Sequence, residues 1–211
     1  MATRISAPQG KMRKEPRQER SRDTVEAILQ ATAHILARRG WAGLSTNEVA
    51  RVAGVSIGSL YQYFPNKLAL IEAVRRRHFD EILSVLRAAN DAGESRAQSI
   101  EAVVQGMIGL HARNPATQNV LLEEAPRSRE SKAAHDGFEA EYLRLYEGLI
   151  AGGEPASTSG AMAAQVLSSA IAGVIHDAAR RGALTSPILK QELVRLVSAY
   201  LSKSRRGRRR M

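Results

Sequence analysis

Residues 45–67 read Ser-Thr-Asn-Glu-Val-Ala-Arg-Val-Ala-Gly-Val-Ser-Ile-Gly-Ser-Leu-Tyr-Gln-Tyr-Phe-Pro-Asn-Lys, two short helical segments hinged on a glycine. Ser45 and Glu48 make the S-x-x-E pattern of a capping box, in which each side chain satisfies an orphan backbone donor at a helix N-terminus. Val49, Ala50 and Ala53 give the first segment a short apolar face. Gly54 supplies the freedom for a tight turn, Val55 can plug the angle between two helices, and Ser56 can cap the second. From that second helix, roughly Ile57 to Tyr63, Leu60 and Phe64 turn inward while Gly58, Ser59, Tyr61, Gln62 and Tyr63 stay outward. The major groove admits a helix only if its outer face is slim and able to bond base edges or phosphates. The spacing therefore predicts a helix-turn-helix that grips DNA. Pro65 and Asn66 stop the unit and start another helix, leaving Lys67 in its first turn. A cation there opposes the helix dipole, and a nearby phosphate explains it better than stability does.

A rival motif lies in the same stretch. Gly54-Val55-Ser56-Ile57-Gly58 is a literal G-x-S-x-G, the nucleophile elbow of serine hydrolases, with Ser56 as the nucleophile. An elbow needs a buried strand before its serine, with an acid and then a histidine following. Here Glu48 to Ala53 alternate as a helix carrying Arg51 in the middle. His111, His135 and His176 follow, but no β-branched run supplies a parallel sheet. The hydrolase is retained only as a remote alternative, and the chain is read as no enzyme.

With these residues in place, the chain resembles the TetR family of transcriptional regulators, whose three-helix DNA-binding domain ends in a pattern like Ala-Gly-Val-Ser-x-Gly-Ser-Leu-Tyr-x-Tyr-Phe-x-x-Lys. This sequence carries it at 53–67 without a gap. The resemblance covers residues 20 to about 80. It implies that Thr46, Tyr61, Tyr63 and Lys67 contact phosphates, and that Ser56, Ile57, Gly58, Ser59 and Gln62 face the groove. Where many relatives have Lys or Arg after the turn serine, this chain has Ile57. Few direct base readers remain, which shifts weight to water-mediated or shape readout.

Composition bounds the rest. A helical chain of 211 residues can bury ~70% of its unfolded surface, enough for a real core. There are no cysteines, which removes disulfides, thiolate catalysis and thiolate metal sites. No spacing of histidines and carboxylates argues for a metal, and no cofactor is expected. The N-terminal residues lack an apolar h-region, and the apolar stretch 161–175 is interrupted by Gln165, Ser168 and Ser169. The expectation is a cytoplasmic protein with no membrane partner.

The net charge of +10 is concentrated at the ends. Residues 1–22 carry +5 and residues 203–210 carry +6, so the middle of the chain sums to −1. Such tails read as disordered. The C-terminal run can be a solubilising tail. Arg17, Arg20 and Arg22 lead directly into the DNA-binding helices, where a basic arm adds salt-dependent affinity without sequence information.

The expected organisation is all-α: a disordered basic arm at 1–20, the helix-turn-helix domain at 21–67, a helical effector-binding and dimerisation domain at 68–202, and a basic disordered tail at 203–211. Helix one should run from about Arg22 to Arg39 on a stripe of Val25, Ile28, Leu29, Thr32 and Leu36, with Trp41 and Leu44 folding back on it. A connecting helix at 67–90 should bury Leu68, Ile71, Val74, His78 and Ile82, with Arg75-Arg76-Arg77 as a solvated face. Breaks leave further helices near 94–113, 117–125, 128–151, 157–181 and 187–203.

The last two are apolar around most of their circumference, as at Ala161 to Ile175 and along Ile188, Leu193, Leu196, Val197 and Tyr200. A helix of that kind needs cover on both sides, and a second copy of the chain supplies it. The resemblance implies the same pairing, a homodimer that reads a near-palindrome. Residues 94–155 would then enclose a small-molecule effector. Met107, Ile108, Leu110, Leu121, Leu122, Phe138, Tyr142, Leu145 and Leu149 read as its core, with His111, Glu123, Glu124, Arg127, His135 and His176 as possible polar contacts. Few aromatics are present, so an apolar or weakly acidic effector fits better than a bulky cation. The expected function is a dimeric, ligand-released repressor of a palindromic operator. A non-specific architectural DNA binder is the alternative from another class.

Overall fold

Helix α1, Glu19–Arg39, starts three residues ahead of the expected position because Ser21 Oγ accepts the Gln18 amide at 3.1 Å and caps it there. Its buried stripe is Val25, Ile28, Ala31, Thr32, Ile35 and Leu36. Leu29 lies only at the margin, since Ala31 and Ile35 complete the heptad-like face instead. The buried Thr32 hydroxyl donates to the Ile28 carbonyl at 2.7 Å, so the polar atom is satisfied inside the helix.

Helices α2, Thr46–Ala53, and α3, Ile57–Tyr63, follow as the sequence predicts. Between them Gly54 takes φ 68°, a left-handed conformation that L side chains rarely adopt, and the Val55 amide reaches back to the Ala50 carbonyl at 3.0 Å. Ser45 accepts the Glu48 amide at 3.2 Å. The Glu48 carboxylate does not make the other half of the expected capping box. It is held instead by Arg51 at 2.8 Å and by Arg39 at 3.4 Å. Helix α4, Lys67–Asp91, is capped by Asn66 Oδ1, which accepts the Ala69 amide at 2.9 Å.

The computed structural model describes residues 12–13, 18–93, 95–113, 121, 129–151 and 158–208. Among these, α5 spans Arg96–Arg113, α6 Arg129–Ala151, α7 Thr158–Arg180 and α8 Pro187–Arg208. No strand occurs among the described residues. The expected helix at 117–125 lies outside them apart from Leu121. The chain forms two compact units, one built from residues up to Phe79 together with 114–135, the other from Asp80–Arg113 and Asp136 onward. The division thus falls inside α4 and not ahead of it at residue 68, because Ala69, Leu70, Ile71 and Val74 bury into the core of the first unit.

The core of the first unit joins α1, α2, α3, the start of α4 and Leu121. Arg75 belongs to its interior, only 3% exposed, and not to a solvated basic face. Its guanidinium donates to Glu72 at 2.6 Å and, from Nη2, to the Leu121 carbonyl at 3.0 Å. Of the predicted stripe on α4, Ile71, Val74 and Ile82 are buried while Leu68 and His78 are only partly so; Leu70, Arg75, Phe79, Leu83 and Leu86 complete the buried side. Leu121 accordingly packs with the first unit, not with the presumed effector region.

The second unit packs α5 against α7 and α8. Met107, Leu110, Tyr146, Leu167, Ile171, Ile175, Leu193 and Val197 are among its buried residues. Pro187 opens α8, with Ser186 Oγ accepting the Leu189 amide at 3.4 Å. The helix continues to Arg208, past the expected start of a disordered tail, since Lys and Arg are good helix formers. One helix, Gly160–Arg180, is long and apolar enough to cross a membrane by length and composition, but its Ala164, Leu167 and Ile171 lie in this core. His111 on α5 and His176 on α7 bring their rings to 5.6 Å. His111 Nδ1 donates to the Met107 carbonyl at 2.7 Å. Burial holds His111 below the usual histidine range; burial, His111 and Arg180 together push His176 down to about 4.

Replacing Arg75 by alanine strands the Glu72 carboxylate and the Leu121 carbonyl, and is expected to lower the unfolding free energy by about 2–4 kcal/mol in urea titration. The two histidines give a pH dependence of known sign. Each binds protons more weakly folded than unfolded, so stability is complete above the unfolded value near ~6.5 and declines as pH falls toward about 4. Because His176 is partly exposed, screening trims the effect to about 1 kcal/mol between pH 7 and 5. His176→Gln should flatten that decline in unfolding titrations at the two pH values.

Candidate nucleic-acid interface

Helix α3 has only seven residues, so its two faces follow from simple spacing. Leu60 and Phe64 are fully buried, as predicted. On the opposite side Ser56, Ile57, Gly58, Tyr61 and Gln62 are exposed, Ile57 at 38% and Tyr61 at 40%, while Ser59 is partly buried. Tyr63 departs from the prediction. It follows Leu60 by three residues, which puts it on the inward face, and it is buried in the first unit's core at 8% exposure. Its carbonyl accepts the Arg13 amide at 2.7 Å, and Met12 packs on the same core. Part of the expected disordered arm is therefore seated on the end of α3; the remainder of 1–17 lies outside the described residues.

Ser56 caps α3. Its Oγ accepts the Ser59 amide at 3.0 Å and lies 2.8 Å from the Ser59 hydroxyl. The residues before it form α2, so the strand that a nucleophile elbow requires is a helix here, and the serine works as an N-cap. Gly58 has open space where a side chain would go: a Cβ added there would meet nothing closer than Ser56 Oγ at 3.8 Å. Nothing inside the fold demands that glycine, whereas a closely approaching partner would.

Two residues predicted to touch phosphate meet across the angle between helices. Thr46 Oγ1 at the start of α2 lies 3.0 Å from the Tyr61 hydroxyl on α3. The pair brings two hydroxyls to one place. Lys67 is partly buried and holds its ammonium 4.2 Å from the centroid of the Trp41 ring. That cation–π contact is the neighbour of Lys67 that spacing alone missed. It leaves the positive charge confined to one position near the turn. Arg51 is instead engaged by Glu48, whose carboxyl that hydrogen bond holds below the usual carboxylate range.

Arg75, the Arg13–Tyr63 bond and the Trp41–Lys67 contact all escaped the sequence. A signal existed only for Arg75, which sits four residues from Ile71 and three from Glu72. The other two join residues far apart in the chain. Glu123, Glu124 and Arg127 lie outside the described residues. His135 pairs with Phe79, rings 5.7 Å apart, in the first unit, and not with His111 and His176. No group of three or more His, Cys, Asp or Glu suited to a metal ion occurs among the described residues.

Comparison with known proteins agrees with this geometry. Residues 28–74 match the family model for bacterial regulatory proteins of the tetR family, and residues 95–201 match that of the tetracyclin repressor-like C-terminal domain. A nucleoid occlusion factor, SlmA, from Haemophilus ducreyi is 25% identical over 149 residues, covering 68% of this chain and 72% of the relative. The transcriptional repressor KstR of Mycolicibacterium smegmatis is 33% identical over 107 residues, about half of each chain. Among solved structures, NalD, the secondary repressor of the MexAB-OprM multidrug efflux pump in Pseudomonas aeruginosa, superposes with a TM-score of 0.64 at 21% identity, covering 87% of this chain and 98% of that one. A helix-turn-helix match and a C-terminal match that spans half the sequence lead to one conclusion: this chain belongs to the TetR family of DNA-binding transcriptional regulators.

Proposed function

We propose that the protein is a dimeric, effector-released cytoplasmic repressor that reads a near-palindromic operator. The observation that carries the DNA side is the outward face of α3, slim at Gly58 and edged by Ile57, Tyr61 and Gln62. In this reading Thr46, Tyr61 and Lys67 hold phosphates, and Ser56, Ile57, Gly58, Ser59 and Gln62 lie toward the groove. Tyr63 acts from the interior by fixing the end of α3, in place of a direct phosphate contact. Residues 12–13, seated on that end, start the basic arm beside the recognition helix, where its cations add sequence-independent affinity.

Dimerisation through α7 and α8 is supported by apolar side chains that the second unit leaves uncovered. Met162 and Val166 on α7 are 62% and 46% exposed; Ile188 and Leu196 on α8 are 69% and 46% exposed. These helices bury one side in their own core and offer the other to water, which a second copy would relieve. Two recognition helices would then sit about one DNA turn apart. An effector bound in the second unit favours a conformer whose heads mismatch the operator, and affinity falls by its preference between the two states and no more. The SlmA relatives support a second reading, a DNA-bound factor acting in nucleoid occlusion. Fluorescence anisotropy separates a regulator from a non-specific DNA binder. A regulator prefers the DNA upstream of its own gene over a scrambled duplex by ~10³ or more, and a ratio near one would overturn the repressor reading.

Gly58→Ala should leave thermal stability unchanged or slightly raised, because the site is open and alanine favours helix, yet weaken operator binding about tenfold by anisotropy. Val166→Glu combined with Leu196→Glu is expected to give monomers in analytical ultracentrifugation, with helix content by circular dichroism retained and operator affinity reduced by about 100-fold or more. Deleting residues 1–13 should lower the slope of log affinity against log salt; an unchanged slope would show the arm idle.

A further inference from the structure

Among the described residues of the first unit, the large apolar side chains left exposed are Val52, Ile57 and Tyr61, and all three lie on α2 and α3. A single exposed aliphatic residue is ordinary on a protein surface. The setting of Ile57 is more specific. It is the first residue of α3, is 38% exposed and lies outside the apolar core of its unit. A β-branched side chain also loses rotamer freedom in a helix, so neither packing nor helix propensity accounts for isoleucine there. Beside it, Gly58 leaves open space, the nearest atom to an added Cβ being Ser56 Oγ at 3.8 Å. The chain next to Ile57 is therefore slim enough for this aliphatic group to reach a base edge.

The other groups of α3 restrict what Ile57 can meet. The helix carries no charged side chain, so the Arg or Lys that most often binds guanine O6 and N7 is absent from it. The Ser56 hydroxyl accepts the Ser59 amide and lies 2.8 Å from the Ser59 hydroxyl, and the Tyr61 hydroxyl is 3.0 Å from Thr46 Oγ1. In the major groove the bases differ in one apolar feature, the C5-methyl group of thymine. An aliphatic side chain set against guanine, adenine or cytosine strips water from polar edge atoms and returns no hydrogen bond. Against thymine it buries carbon on carbon. We propose that Ile57 is a specificity-determining residue that reads the C5-methyl group of a thymine, so that each half of the operator carries a thymine facing the start of α3. The inference rests on the groove assignment of α3 made above and names the base that this helix selects. Burying one methyl group corresponds to about fourfold in affinity.

The test uses the full-length protein, first to select bound duplexes from a random-sequence pool. Anisotropy on the selected duplex then follows, with each thymine replaced in turn by deoxyuridine, which removes the methyl group and keeps base pairing. The wild type should enrich a motif with a thymine in each half, and uracil at that position should weaken binding about fourfold per methyl. Ile57→Ala should melt within ~2 °C of the wild type by circular dichroism, since its side chain lies outside the core. It should bind the thymine and uracil duplexes equally and lose base preference at that position alone, with the rest of the motif retained. Ile57→Val, which keeps a branched apolar surface, should retain the preference for thymine. A motif without thymine in each half, uracil tolerated by the wild type at every position, or a methyl effect that survives in Ile57→Ala would overturn the proposal and leave the sequence-reading regulator standing. A pool from which no motif is enriched would overturn the regulator reading and this inference with it.

Discussion

The left-handed turn at Gly54 sets the angle on which the DNA-binding face depends. With φ at 68° the chain reverses within three residues, and Ser56 is delivered to the position where its hydroxyl caps α3. That angle lets Leu60 and Phe64 reach the apolar sides of α1 and α4, where both are fully buried. Once those two residues are inside, the opposite face of a seven-residue helix has no choice but to point outward. The exposed set of Ile57, Gly58, Tyr61 and Gln62 is thus a by-product of core packing. The same constraint forms the Thr46–Tyr61 hydroxyl pair, because it brings the first turn of α2 against the middle of α3.

Charge in the first unit is handled in three ways. Surface cations such as Arg51 are paired with a neighbouring carboxylate in water, where such pairs contribute little. Arg75 is different: it lies within the core, with Glu72 and the Leu121 carbonyl taking its protons. A buried guanidinium of this kind is weak evidence for stability but strong evidence for a specified arrangement, because it tolerates only partners with matching geometry. It ties a residue of α4 to the Leu121 carbonyl, within one unit. Lys67 shows a third solution, its ammonium resting on the Trp41 face.

Among the described residues of the second unit, several buried or half-buried polar groups are neutral. His111 and His176 are held in the uncharged form by burial, Ser168 donates to the Gln165 carbonyl, and Tyr146 keeps its proton. The exposed apolar residues of α7 and α8 belong to the same physical account: helices rich in small and aliphatic residues bury one stripe at home and leave another in need of cover.

Legible in the residues alone were the all-α class, the order of the helices that the structure describes, the Gly54 turn, the Ser45 and Ser56 caps and the inward Leu60 and Phe64. All of these rest on interactions between residues at most four apart, so local periodicity and capping chemistry suffice to read them. Tertiary structure alone decided what joins distant residues. It buried Tyr63 on the end of α3, seated Arg13 there, drew Arg75 out of a basic run and into the core, and brought Lys67 onto Trp41. A run of three arginines looks the same in sequence whether it faces water or not. Which one turns inward depends on how wide a side of α4 meets the opposing helices, and that is settled only when the packed partners are present.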